Sequence, residues 1–449
     1  MVRSSKKRLS VETMGAEEEV EIPAEWKPEM KEAPLFEDRV SRFTIVRELV
    51  AGVLLRVVAI VFFSGYLQNR PELVTPLSSI SRLREAIHLK RSGFSAYDGD
   101  LFHMQPVFLA AFDVVIDLPF VIPSLFILFD VVTALVFRHA ARAYMRDRKL
   151  SVKTQEVQDI PHLVFLCYFF NPITIASSAV FNITAFSNLL IALFFLAVNK
   201  QCVLLSAFVT SLLVHQNLHY IPVFAVQIVG FKMRSTNSKV IAALLATLTG
   251  FGCWNALSAH LQGSNDFLPN TYEFSLLFPD LHPNMGIFWY HFCMTFEHFQ
   301  SFFTWVFQVN YLLYIFPLAF ILRGDPSVYF VVMLITMATF APYPTLADIC
   351  VYLALIPMFT NFRKYIRYTL VIGCAYISCL VLSPIMWKMW IITGSGNANF
   401  YFAATILYDV AQIFLITDIV YAFLRADIHV SCPRNVDVDK VVVCFSLGA

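Results

Sequence analysis

The sequence predicts an all-α polytopic membrane protein with about 12 transmembrane helices. Three observations lead there. Of 449 residues, 58% are hydrophobic and 14% charged, with a mean hydropathy of +0.64. A soluble domain has no use for that much apolar surface. Apolar runs recur from Phe43 to Leu424, several long enough to cross a bilayer. Basic clusters fall in alternate gaps between those runs, as an orientation signal requires.

Residues 1–42 form a polar arm with Glu17, Glu18, Glu19 and Pro23, Pro28 and Pro34. It reads as a disordered cytosolic segment, with no cleavable signal peptide. The multi-span domain covers 43–426. Its clearest spans are 44–67, 161–180, 182–199, 238–260, 300–322, 328–345, 365–390 and 400–424. Apolar pieces near 201–214, 218–230 and 346–360 are shorter than the roughly 17 residues of a full crossing. The run 106–137 is too short for two spans. It is read as an interfacial helix and one crossing near 118–138, begun by Pro119 and Pro123. Residues 427–449 form a cytosolic tail.

Arg138, Arg142, Arg146, Arg148 and Lys149 mark one cytosolic loop. Lys232 with Arg234, Arg323, Arg363–Lys364 with Arg367, and Arg425 mark the others. Both termini are then cytosolic. The lumen receives 68–104, His215–His219, Gly263–Asn284, Pro342–Pro344 and Gly394–Asn399. In the first of these loops, Leu77–Arg91 has apolar residues at helical spacing and is expected to lie on the luminal membrane surface.

A net charge of +1 gives no reason to expect nucleic acid, and the nine scattered cysteines read as small buried hydrophobes. The stretch 288–310, FWYHFCMTFEHFQSFFTWVFQVN, sets Glu297, His298, Gln308 and Asn310 into an aromatic run. Lipid will not solvate those groups, so they need partners within the protein or a polar ligand. On one continuous helix His291 and His298 stand two turns apart, about 10 Å. One zinc ion cannot join them, so a structural polar network is expected, and no metal. Gln308 and Asn310 are expected to bond between helices. Lys232 and Arg234 serve as an orientation signal or contact a lipid headgroup.

Asp98 and Asp100 form an ordinary Asp-Gly-Asp turn or supply the base of a lumen-facing glycosyltransferase. Asp348, Asp409 and Asp418 are isolated acids in apolar sequence and do not make a transport path, though Arg425 could partner Asp418. Asn182 begins an N-I-T sequon inside apolar sequence and is expected to be unglycosylated. In the short loop GSGNANF (394–400), Asn397 and Asn399 either cap the following helix or offer amides to glycan hydroxyls and phosphates.

Several segments together resemble the PIG-U family, class U phosphatidylinositol-glycan subunits of the GPI transamidase. They are TPLSS (75–79), AYDGDLFHMQP (96–106), FNPITI (170–175), FPDLHPNMGIFWY (278–290) with FEHF (296–299), FFTWVFQVN (302–310), YPTLAD (343–348), WKMWIITGSGNANFYFA (387–403) and YAFLR (421–425). The resemblance departs at the polar arm, at Met104 where an acid is usual, and in the tail after Arg425. It implies an architecture like that of lumen-facing polyprenol-phosphate-sugar glycosyltransferases. It implies a subunit of the endoplasmic reticulum membrane, without cofactor or active site, which binds GPI lipid through Asn397 and Asn399. The implied partners are a caspase-like catalytic subunit, other membrane subunits, and precursor proteins with C-terminal GPI signals. The alternative is a mannosyltransferase of GPI assembly that uses dolichol-phosphate-mannose.

Overall fold

The computed structural model describes residues 40–147 and 159–431. The polar arm up to residue 39, Arg148, Lys149 and the tail from 432 lie outside the described residues. Among those described, there are helices and no strands.

The helices run α1 Arg42–Leu67, α2 Ile80–Arg91, α3 Pro106–Asp113, α4 Val121–Asp147, α5 Ile160–Phe169, α6 Pro172–Ala179, α7 Thr184–Asn199, α8 Val203–Gln216 and α9 Pro222–Arg234. They continue as α10 Asn237–Gln262, α11 Phe274–Leu277, α12 Phe288–Met294, α13 Glu297–Leu313, α14 Ile315–Ile321, α15 Pro326–Thr339, α16 Ala347–Leu355, α17 Thr369–Trp387 and α18 Ala398–Ser431. Proline sits in the first turn of α3, α5, α6, α9 and α15, where its missing N–H costs nothing. Asn171 and Asp325 cap α6 and α15 through side-chain oxygens.

Five helical stretches are long and apolar enough to cross a membrane: Val121–Arg146, Asn237–Gln262, Glu297–Ile321, Thr369–Ile392 and Ala398–His429. The pair α5 and α6, bent by 42° at Asn171–Pro172, would make a sixth. Pro172 cannot donate to a helix continuing from α5, so the chain turns there. The 26-residue α1 presents Val50, Leu54, Val61 and Phe62 outward, as a lipid-facing helix does. The apolar helices α7, α8, α15 and α16 are shorter and heavily buried. Every residue of α15 is buried. Side chains of neighbouring helices pack directly onto glycine backbone. A Cβ on Gly52 would stand 2.1 Å from the Phe169 ring, and one on Gly230 would stand 2.4 Å from Val198.

Arg56 and Asp130, absent from the sequence reading, tie four helices together. Arg56 is fully buried, and its Nε donates to Asp130 Oδ2 at 2.9 Å. Its other nitrogens reach the Phe169 and Gly52 carbonyls and Thr174 Oγ1. Tyr168 and Ser178 hydroxyls donate to the same carboxylate. The bend at Pro172 leaves Phe169 O without a helical donor, and the arginine uses it.

The loops form two groups. In one, Leu346 N donates to Glu72 O, Ile183 N to Ser78 O, and Asn182 Nδ2 to Leu73 O. Arg82 also pairs with Asp280, and Ser275 Oγ donates to Asn217 Oδ1. Of these residues, Glu72, Leu73, Ser78, Arg82, Asn217, Ser275 and Asp280 lie in the loops expected on the lumen. In the other group, Arg234 bonds Asn199, Tyr144 bonds Asp325, and Asp418 receives the N–H groups of Arg367 and Tyr368. The Asp418 carboxylate is thus held by backbone N–H groups just before α17, a partner the sequence had left open to Arg425.

One further expectation changes. The apolar face of α2 was expected on the membrane surface. Ile80, Leu83, Ala86 and Ile87 are instead buried with Leu109, Phe112, Phe126, Phe181 and Phe267 in a second core. Other elements of the protein compete with lipid for that face, and α3 lies beside it.

Candidate functional site

The blocks 278–290 and 387–403 meet at the end of the protein carrying the first group of loops. Gly394 takes φ +63, a left-handed conformation that lets the chain reverse between α17 and α18. Asn397 then caps α18, with its Oδ1 accepting Asn399 N–H at 3.1 Å. Asn399 Oδ1 accepts the hydroxyl of Tyr290, 109 residues away. The Tyr290 ring stacks on Phe402 at 4.2 Å. Beneath lies an indole and phenol cluster. Trp289 stacks on Trp390 at 6.0 Å, while Trp387 meets Trp390 edge-on and Tyr401 at 5.3 Å. Asn397 and Asn399 themselves stay exposed. Each spends one acceptor on the protein and keeps its amide NH2 for a ligand.

The sequence reading named the asparagines but not Tyr290, Trp387 or Trp390 as their supports. Tryptophan and tyrosine in both blocks were the available signal, since such rings anchor at membrane edges.

Two cavities open at this end. The larger, about 330 Å³, is lined by Arg70, Ser79, Arg82, His282, Asn284 and Trp387. Trp387 therefore belongs both to this cavity and to the cluster under the asparagine loop. The smaller, about 110 Å³, is lined by His103, Thr184, Asn188, His219, Tyr343 and Asp348, among others. Asp348 accepts from Thr345 N and Oγ1, closing the turn before α16. His103 stacks on Phe274 at 3.4 Å and its Nδ1 lies 2.9 Å from Asn270 O. Burial lowers the His103 pKa, so the neutral ring is favoured. Burial pushes the Asp280 carboxyl up. Bonds from His282, with the charges of His282 and Arg82, bring it below its ordinary value.

Other expected sites fall elsewhere. Asp98 and Asp100 are exposed and line neither cavity. Asp98 accepts Ser95 N, as turn acids do. Asn182 is buried, with its amide nitrogen committed to Leu73 O. Lys232 is exposed in the last turn of α9, and Arg234 bonds Asn199, away from the asparagines.

The chain is extended at Thr295, with ψ 134°, so His291 and His298 are not on one helix. Glu297 and His298 are exposed, and among the described residues they form no polar network. Among the described residues no group of three or more potential metal ligands converges. Gln308 bonds the Ser275 and Leu276 carbonyls as an interhelical contact, whereas Asn310 has no partner among the described residues.

Residues 50–408 match the family described as GPI transamidase subunit PIG-U. The chain is 33% identical over 421 residues to the GPI-anchor transamidase component PIGU of Homo sapiens, covering 86% of this chain and 95% of the relative. It is equally similar to the Cricetulus griseus protein of that name, over 85% of this chain and 94% of the relative. A more distant relative is the GPI transamidase component GAB1 of Saccharomyces cerevisiae, 26% identical over 82% of this chain and 91% of its own length.

Proposed function

The chain belongs to the PIG-U family of GPI transamidase subunits, and from that premise we propose that it recognises the GPI lipid and positions it for transfer, without catalysing the reaction itself. Joint exposure of the Asn397 and Asn399 amides on a braced aromatic platform carries this reading. Amides suit glycan hydroxyls and phosphate oxygens, and the surrounding indoles suit the edge of a bilayer. Held there, the ethanolamine amine of GPI is presented to the acyl-enzyme of a caspase-like partner subunit. Proximity of this kind contributes on the order of several kcal/mol to an acyl transfer.

The same reading places a membrane domain of residues 43–426 in the endoplasmic reticulum. It has about 12 crossings, both termini in the cytosol and an architecture like that of the lumen-facing glycosyltransferases. The two separate groups of loop contacts support alternating crossings. So does the passage of the short helices α7, α8, α9, α15 and α16 from one group to the other. Lys232 and Arg234, at the opposite end from the asparagines, suit the phosphate of a cytosolic-leaflet lipid.

The test is affinity purification of the chain from detergent-solubilised membranes, with mass spectrometry of co-purifying proteins and lipids. A caspase-like subunit recovered together with GPI is the expected result. An isolated chain that transfers mannose from dolichol-phosphate-mannose would overturn the proposal.

A further inference from the structure

We propose that the cavity of about 330 Å³ beside Trp387 is a phosphodiester-binding site in which Arg70 is the charged ligand. Arg70 is 7% exposed and lines the cavity. Its guanidinium lies 4.4 Å over the Tyr66 ring, and no carboxylate of a described residue lies within the 4.0 Å of an ion pair. A nearly buried cation without a counter-ion is costly to fold around, and an anion entering the cavity would relieve that cost.

The neighbouring charges do not fill this role. Arg82 is already paired with Asp280 at 3.2 Å, and His282 donates to the same aspartate. Glu72 is close enough for its charge to interact with Arg70 but stays outside ion-pair distance, and burial raises its pKa. Arg70 is therefore the cation left over. Asn69, Ser79 and Asn284 also line the cavity and can donate to anionic oxygens.

Phosphodiester is favoured over other anions by position. Tyr66, on the last turn of α1, is exposed beside Arg70, and Trp387 also lines the cavity. Such rings sit at the depth of lipid phosphates. Arginine offers a planar fork that matches two phosphate oxygens. The phosphate comes either from a membrane lipid headgroup or from ethanolamine phosphate on the GPI glycan. The second source rests on the function proposed above, because Trp387 joins the cavity to the asparagine platform.

The experiment uses the assembled complex purified in a phosphate-free detergent, with this chain native or carrying Arg70→Gln, Arg70→Lys or Asn69→Asp. Retention of labelled phosphatidylinositol is compared with that of diacylglycerol, and a soluble mannose carrying ethanolamine phosphate is added as competitor. The native complex should retain the phosphate-bearing lipid preferentially. Arg70→Gln should weaken it about tenfold or more, and Arg70→Lys should recover part of the loss. Displacement by the soluble phosphate assigns the site to the glycan, and failure to displace assigns it to a lipid headgroup. Undiminished retention by an assembled Arg70→Gln complex overturns the proposal. If that variant does not assemble, the exposed Asn69→Asp decides. Its added negative charge should cost affinity several-fold, and unchanged affinity overturns the site. Replacing Asn397 and Asn399 tests the platform separately and should leave phosphatidylinositol retention intact.

Discussion

Replacing Asp130 by alanine should be among the most damaging single changes in this chain. Arg56 and Asp130 are 0% and 2% exposed, and the carboxylate accepts from Arg56, Tyr168 and Ser178. Two unit charges about 4 Å apart attract by about 4 kcal/mol at an effective dielectric of 20. Measured losses on breaking buried pairs are about 3–5 kcal/mol, because the surviving charge is left stranded. The carbonyls of Phe169 and Gly52 still solvate part of Arg56, which argues for the middle of that range, about 4 kcal/mol. That corresponds to roughly a thousandfold fall in the ratio of folded to unfolded protein. The assay is the folded fraction of the detergent-solubilised chain titrated with a denaturing detergent. Asp130→Ala should shift the midpoint strongly, and the double change Arg56→Leu with Asp130→Leu should recover most of the loss. A single variant within about 0.5 kcal/mol of native, or a double variant no better than the single, would refute the argument.

Two further expectations follow from packing and titration. Gly52→Ala should cost about 1–3 kcal/mol in the same titration, since its Cβ would overlap the Phe169 ring that also receives Arg56. A native midpoint would mean that α1 and α5 are less closely packed. His103 has a lowered pKa, so its contribution to stability is complete above the ordinary value of 6.5 and is lost as pH falls below it. Protection factors for amide exchange in residues 263–284, with the intrinsic pH dependence divided out, should therefore fall between pH 7.5 and 5.5, and His103→Phe should flatten that response. The same response in both proteins would place the titrating group elsewhere.

Span positions were legible because a crossing leaves a long apolar run whatever it packs against. The runs 44–67 and 238–260 match α1 and α10 within two residues, and 400–424 lies inside α18, which continues to Ser431. Pro119 and Pro123 located the start of α4, because proline punctuates a helix through its own chemistry. What escaped was whatever depends on a partner distant in sequence. Arg56 was not singled out, because its counter-ion Asp130 lies 74 residues further along the chain. The α2 stripe was visible, but nothing local told lipid from the second core. The break at Thr295 went unseen because aromatic residues continue across it, and it undid the geometry assumed for His291 and His298. At the platform, Asn397 and Asn399 were named from the loop, whereas the Tyr290 bond to Asn399 appears only when the chain is folded. Arg70 lies within a polar loop that offered no reason to single out one arginine.

The most direct measurement is the amount of GPI retained per assembled complex when the asparagine amides are removed but the cap is kept. Asn397→Ser preserves an acceptor for Asn399 N–H, so α18 should stay capped, whereas alanine would sacrifice about 1 kcal/mol. Combined with Asn399→Ala, it should lower retained GPI about tenfold while recovery of the partner subunits stays at the native level. Native GPI retention in that intact complex would contradict the claim that this loop holds the lipid.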